Sequence, residues 1–320
     1  MSAWRSRTST PAPDRPSRFD FSKVDADFES DGRRCAGWLY RPSGVSDPTV
    51  VVMAPGFAAE RTFGLPAVAE RLAEAGYAAF LFDYRHFGDS EGSPRQLVSV
   101  DRQLADWRAA LDRVRRLDGV AGRRPVLWGA SLAGGHVLRL AAEDRPAAVV
   151  AVAPMVDGRA LARTRSLRTL SRGVVAAIRD RLGGLVGRPY TVPVVGDPNE
   201  FAALSAPGAK AAVLDMVPGA SDWHNAVPAR SLLSVLRYRP LRHLDDVSCP
   251  TLILAAGDDE VVPPAAVERA ADALPEATYV RLPVGHFDVY GGRAGRAALG
   301  HQLAFLDATT GGASRKRLET

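Results

Sequence analysis

The apolar positions of this chain fall into two alternating kinds of run. Short continuous ones, Thr49-Val50-Val51-Val52-Met53-Ala54 and the stretches 77–82, 126–128, 147–153, 250–255 and 278–282, suit strands covered on both faces. Between them lie segments with apolar residues at helical spacing. Residues 65–75 stop at Gly76, residues 100–117 place Leu104, Trp107, Leu111 and Val114 on one face, and 132–144, 264–274 and 293–306 complete the series. Buried strands alternating with amphipathic helices predict an α/β fold, a mostly parallel sheet between two helical layers. Ahead of it, 21–30 and 35–40 read as a hairpin about Asp31-Gly32, stopped by Pro42.

The alternation breaks between residues 157 and 246. Helices are predicted there at 159–182, 199–204 and 226–236, separated by Gly183-Gly184 and Gly196-Asp197-Pro198. An insertion following the carboxyl end of a strand is placed to roof the ligand crevice, so 157–246 is expected to be a helical cap. Its apolar residues, among them Leu161, Leu170, Val175, Ile178, Phe201 and Leu204, either line a substrate pocket or hold the cap together. The remaining bounds are an Arg/Pro/Ser-rich leader at 1–18, core segments at 19–156 and 247–308, and a tail at 309–320. Leader and tail are expected to be disordered.

Composition narrows the classes. At 320 residues and 46% hydrophobic content the chain can bury a large core. No apolar run approaches the roughly 18 to 20 residues of a membrane span, and the basic N-terminus lacks an apolar h-region. Cys35 and Cys249 lie far apart and outside any metal-ligand spacing, so free thiols, a cytoplasmic location and no metal are expected. The net charge of +5 comes from scattered arginines and the short cluster Arg315-Lys316-Arg317; no basic stripe for nucleic acid is visible. The expected partner is a small-molecule acyl substrate, with no cofactor.

The chemistry centres on Trp128-Gly129-Ala130-Ser131-Leu132-Ala133-Gly134-Gly135-His136. Small residues on both sides of one serine suit a tight strand-to-helix turn that pushes the hydroxyl outward, although Ala133 stands where a strict G-x-S-x-G pattern has its second glycine. Ser131 is either a nucleophile on such a turn or an ordinary helix N-cap. A serine hydroxyl needs a base, and the base needs a carboxylate. The loops after the last two parallel strands carry both, in Asp258-Asp259-Glu260-Val261-Val262-Pro263-Pro264 and in Gly285-His286-Phe287, and they open at the same sheet edge as Ser131.

With these three loops the chain resembles the α/β-hydrolase superfamily from about residue 20 to residue 308. The Ser131 turn resembles the nucleophile elbow, the pattern from Asp259 the acid loop and Gly285-His286-Phe287 the histidine loop. DYRHFGDSEGSPR, the cap's DWHN and GHFDVYGG resemble a bacterial esterase-like group, described as acetyl-xylan-esterase-like or dipeptidyl-peptidase-like, and polyketide acyltransferases of the same fold. The resemblance implies a Ser131–His286–Asp259 triad and an oxyanion hole built from the backbone N–H groups of Leu132 and Phe57. In the family register Asp259 rather than Asp258 is the acid. Asp288 is assigned to its own loop, and His136, five residues past Ser131 on the helix, to packing. Trp223, His224 and His86 are candidate substrate contacts.

The implied activity is a serine hydrolase cleaving a carboxylic ester or thioester through an acyl-enzyme. An acyltransferase or acyl-eliminating enzyme on the same triad is the alternative, and a binding protein that has lost the chemistry is a third reading. A peptidase is disfavoured because the cap shows no acidic pair to anchor an amine.

Overall fold

The computed structural model describes residues 17–119 and 124–311. In chain order the elements are β1 (Phe21–Asp25), β2 (Phe28–Ser30), β3 (Arg33–Cys35), β4 (Gly37–Pro42), β5 (Val50–Ala54), α1 (Leu65–Glu74), β6 (Ala78–Phe82), α2 (Val100–Arg115), β7 (Val126–Ala130), α3 (Leu132–Ala141) and β8 (Ala148–Val152). An insertion follows, with α4 (Gly158–Arg163), α5 (Leu167–Gly184), β9 (Thr191–Val192), α6 (Ala209–Met216), β10 (Val227–Pro228), α7 (Arg230–Arg237) and a 3₁₀ turn, Pro240–Asp246. The chain closes with β11 (Thr251–Ala256), α8 (Pro264–Ala273), β12 (Ala277–Leu282), a short 3₁₀ turn at Asp288–Tyr290 and α9 (Gly292–Thr310).

Eight strands form the main sheet in the order β1-β4-β6-β5-β7-β8-β11-β12. From β6 to β12 every pairing is parallel, whereas β1 and β4 join antiparallel at one edge. Each central strand splits its side chains between two cores. Val50, Val52 and Ala54 of β5 pack with Trp107 and Leu111 of α2 and Val137 of α3, while Val51 and Met53 pack with Leu72 of α1 and Leu303 of α9. This two-sided burial is why the strands carry no polar alternation. Cys35 and Cys249 are buried free thiols.

Several expected elements differ in detail. The first arm of the hairpin breaks at Ala26-Asp27, so β1 joins the large sheet and only β2 and β3 pair around Asp31-Gly32. Gly37 permits the break: its N–H donates to Asp27 Oδ1, and a Cβ there would lie 2.9 Å from the Ala26 carbonyl oxygen. The single helix expected over 159–182 is two, because Ser166 caps a new start by accepting the Thr169 N–H. No helix forms at 199–204; Pro193, Gly196 and Pro198 hold that stretch open and Leu204 bridges to Val195. Residues 226–229 are not helical either, since Val227 precedes a proline and pairs with Val192. Helix α6 was not expected. The last helix runs past the expected boundary to Thr310, which removes 309 and 310 from the tail. Ser17 Oγ and the Arg18 N–H reach Glu74, so the leader is anchored there. The rest of the leader, and the tail beyond Gly311 with Arg315-Lys316-Arg317, lie outside the described residues. No helix among the described residues is long and apolar enough to cross a membrane.

His136 packs on α3 as expected. It is fully buried, with Nδ1 3.0 Å from the Tyr238 hydroxyl and Nε2 3.1 Å from Gln103 Oε1. Burial lowers its pKa from 6.5 to about 3. A proton therefore binds the unfolded chain well before the folded one. Stability from this residue is complete above pH 6.5 and falls by about 1.4 kcal/mol per pH unit below it, down to the folded value. Urea unfolding of His136→Gln is expected to show a pH dependence between 6.5 and about 4 that is shallower by this amount, whatever the absolute stability. An unchanged slope would contradict the assignment.

Candidate active site

The turn after β7 is set by steric limits. Ser131 sits at φ 55°, ψ −120°, and α3 begins at the next residue. Its N–H donates to the Val152 carbonyl, and its own carbonyl accepts from Met155 N–H, so both sides of the turn are tied to the end of β8. A Cβ on Gly129 would lie 2.3 Å from the Ala133 carbonyl oxygen, and one on Gly134 2.8 Å from Pro154 Cβ. Those two glycines, rather than position 133, are where the turn needs hydrogen for a side chain. Ala133 is fully buried and tolerated.

The loops after β11 and β12 bring the other two side chains to Ser131. His286 Nε2 is 3.0 Å from Ser131 Oγ, and His286 Nδ1 is 2.6 Å from Asp259 Oδ2. Asp259 is oriented by its own loop, because Oδ1 accepts the N–H groups of Val261 (2.8 Å) and Val262 (2.7 Å). Both His286 and Asp259 are buried. With Nδ1–H given to the carboxylate, Nε2 is free to accept the serine proton. Such a series can turn a hydroxyl into a nucleophile and stabilise the imidazolium that forms. Asp258 is exposed, and Asp288 Oδ2 accepts the Gly285 N–H, which keeps it within its own loop.

The loop after β5 lies against the serine. A Cβ on Gly56 would come 3.3 Å from Ser131 Cβ, and Phe57 and Leu132 line one cavity with Ser131. Leu132 is the first residue of α3, where no carbonyl of the preceding turn can accept its N–H. The loop is braced from behind. Ala58 has φ +52°, and its carbonyl accepts the Trp223 indole N–H at 2.7 Å, while the Trp223 ring meets Phe63 edge-on.

The cavity, about 90 Å³, is almost wholly apolar. Of the insertion's apolar residues, Leu161, Leu170, Phe201 and Leu204 line it, joined by Met155 and by Leu232, Val235 and Leu236 of α7. Val175 and Ile178 are exposed on the outer side of α5. The three other expected contacts lie elsewhere. Trp223 is spent on the β5 loop. His86 packs over Gly92, with Nε2 3.0 Å from Arg102 Nη1, and burial with the charges of Arg102 and Arg85 lowers its pKa to about 4. His224 faces a separate polar cleft, its Nδ1 bonded to the Asp222 carbonyl. Missed as cavity wall were Leu232, Val235 and Leu236 of α7, within a helix that was itself expected, and Arg165, which stands among Arg159, Arg163, Arg168 and Arg172 with nothing in the sequence to set it apart. Among the described residues no cluster of His, Cys, Asp and Glu could hold a metal ion.

Comparison with known proteins agrees with this architecture. A family model described as serine aminopeptidase, S33, matches residues 47–283. The quorum-quenching protein AidA of Acinetobacter baumannii is 37% identical over 285 residues, 88% of this chain and 94% of that protein. The polyketide transferase ATR5 of Stachybotrys chlorohalonatus is 32% identical over 296 residues, 89% of this chain and 97% of its own. The structure of DcsB in complex with its substrate analogue superposes with a TM-score of 0.79 at 23% identity, covering 92% of this chain and 100% of that one, a likeness of fold. The parallel sheet, the turn at Ser131 and a match across most of the chain lead to one conclusion: this protein is an enzyme of the serine aminopeptidase S33 family of α/β hydrolases.

Proposed function

We propose that the protein transfers an acyl group from a carboxylic ester or thioester to water through an acyl-enzyme on Ser131. The observation that carries the reading is the continuous series Ser131 Oγ, His286, Asp259 at 3.0 and 2.6 Å, at the wall of an apolar cavity. His286 Nε2 takes the serine proton as Oγ attacks the carbonyl carbon. The oxyanion is received by the N–H groups of Leu132 and Phe57, and Asp259 steadies the imidazolium. His286 then protonates the departing alkoxide or thiolate, and water reverses the steps. Among the described residues no carboxylate lines the cavity, which leaves an α-amino group without a counter-charge and favours an ester or thioester over an aminopeptide.

A second reading has support of its own. The relative named a polyketide transferase aligns over nearly its whole length, and the apolar walls of the cavity offer little to hold water. In that case an alcohol takes the place of water in deacylation. Product partition in the presence of added alcohols separates the two.

A fluorophosphonate probe is expected to label Ser131 alone, and Ser131→Ala to lower turnover by at least about four orders of magnitude. Asp259→Asn is expected to cost roughly 10⁴ through the wrong imidazole tautomer, and Asp258→Asn less than about tenfold. Labelling that survives Ser131→Ala, or a reversed order of the two aspartates, contradicts the assignment.

Trp223 acts in this reading on the oxyanion loop rather than on the acyl group. Trp223→Phe keeps a ring against Phe63 and removes the donor to Ala58, so kcat should fall about tenfold or more with the acyl-length preference unchanged. A chain-length series of p-nitrophenyl esters checks this; an altered preference with kcat intact would return Trp223 to the pocket.

A further inference from the structure

The insertion leaves one cation in the cavity wall without a counter-charge. Arg165, between α4 and α5, is half-buried, and its contacts are neutral: Nη1 donates to Ser205 Oγ at 3.0 Å, and Nη2 lies 3.5 Å from the Ala203 carbonyl. No carboxylate among the described residues pairs with it, and desolvation alone lowers its pKa. Four other shielded arginines are treated differently. Arg61 faces Asp83, Arg85 faces Asp106, Arg230 faces Asp180 and Arg239 faces Asp157. Taking a guanidinium out of water costs several kcal/mol unless a partner repays it. Two neutral acceptors leave Nε and further Nη hydrogens of its five-donor fork unused.

Arg165 lines the same cavity as Ser131, Phe57 and Leu132, and the wall around it is leucine, valine, methionine and phenylalanine, with Thr169 one of the few other polar side chains. From this juxtaposition we infer that the acyl group accepted at Ser131 carries a carboxylate at its far end, which pairs with Arg165. This deepens the proposed hydrolase reading and rests on it for the chemistry at Ser131, but not for the binding. The carbonyl to be attacked sits beside Leu132 and Phe57. The methylene or polyketide-like chain fills the apolar stretch, and the distal carboxylate meets the guanidinium bidentately in surroundings that strengthen the pair. An acyl group ending in a methyl leaves the charge of Arg165 unmatched, so selectivity arises from the penalty as much as from the contact.

The test has two arms. In the turnover arm, p-nitrophenyl half-esters of dicarboxylic acids from succinate to suberate are compared with methyl-terminated esters of equal chain length, on wild type, Arg165→Met and Arg165→Lys. At one favoured length the wild-type ratio of kcat/KM, carboxylate over methyl, is expected to exceed about tenfold, as a buried charge pair does. Arg165→Met should lower that ratio at least tenfold, and Arg165→Lys should restore part of it. If both substrates decline together and the ratio stays, Arg165 only ties Ser205 and Ala203, and the inference fails. It fails also if wild type prefers the methyl terminus at every length. The binding arm uses Ser131→Ala protein and calorimetry with monomethyl half-esters of the same diacids against methyl esters of the monoacids. Tighter binding of the half-ester that is lost in the Ser131→Ala, Arg165→Met double variant supports the site even where no ester is turned over, an outcome that would overturn only the hydrolase reading. Equal binding of the two ester classes overturns the site whatever the turnover arm shows.

Discussion

A serine held in left-handed backbone between a buried strand and a buried helix is the constraint on which this structure depends. Such a residue costs on the order of 1–3 kcal/mol and persists only where its surroundings over-determine it. Here they do. The Val152 carbonyl and the Met155 N–H hold Ser131 on both sides, and Gly129 and Gly134 let strand, helix and the Pro154 segment approach closer than any side chain allows. Relaxing the turn would mean parting β7, α3 and β8, which share one hydrophobic core. Strain at one residue is thus carried by the central sheet, and its effect is to hold Oγ outward at a fixed distance from His286.

The second fixed part is the loop after β5, and its bracing explains a stretch that looks like chemistry in the sequence. Asp83, at the head of DYRHFGDSEGSPR, accepts the Arg61 N–H at 2.6 Å and its Nη1 at 2.8 Å. Burial pushes the Asp83 carboxyl up to about 6, against the pull of Arg61. Gly88, at φ +48°, gives its N–H to Glu60, and a Cβ there would strike Asp83 at 2.2 Å. From the insertion, Ser221 donates to Glu60 and Trp223 to Ala58. The insertion therefore does two things: α5 and α7 wall the cavity, while the segment around Trp223 holds the loop that faces Ser131.

What could be read from the sequence followed from how many constraints bore on each residue. The central strands and their helices were legible because burial on two faces leaves a periodic trace, and Ser131, Asp259 and His286 because three loops at one sheet edge carried complementary groups. The insertion was not, because its form rests on single contacts. Ser166 splits a helix by one side-chain bond, Val227-Pro228 turns an expected helix into a bridge, and the apolar residues of α5 divide between cavity and solvent by a rotation that hydrophobicity alone does not fix. Trp223 shows the same limit. Its size and position suggested a pocket wall, whereas its indole N–H, invisible to a count of apolar residues, directs it to the Ala58 carbonyl.

The central claim is that acyl transfer passes through Ser131. It is tested most directly by rapid-quench intact-mass measurement during turnover of a slowly hydrolysed acyl thioester. The account predicts a transient mass increase equal to one acyl group, mapped by peptide digestion to the segment containing Ser131, rising and decaying at rates consistent with kcat. Turnover with no adduct, or an adduct on another residue that Ser131→Ala leaves in place, would contradict it.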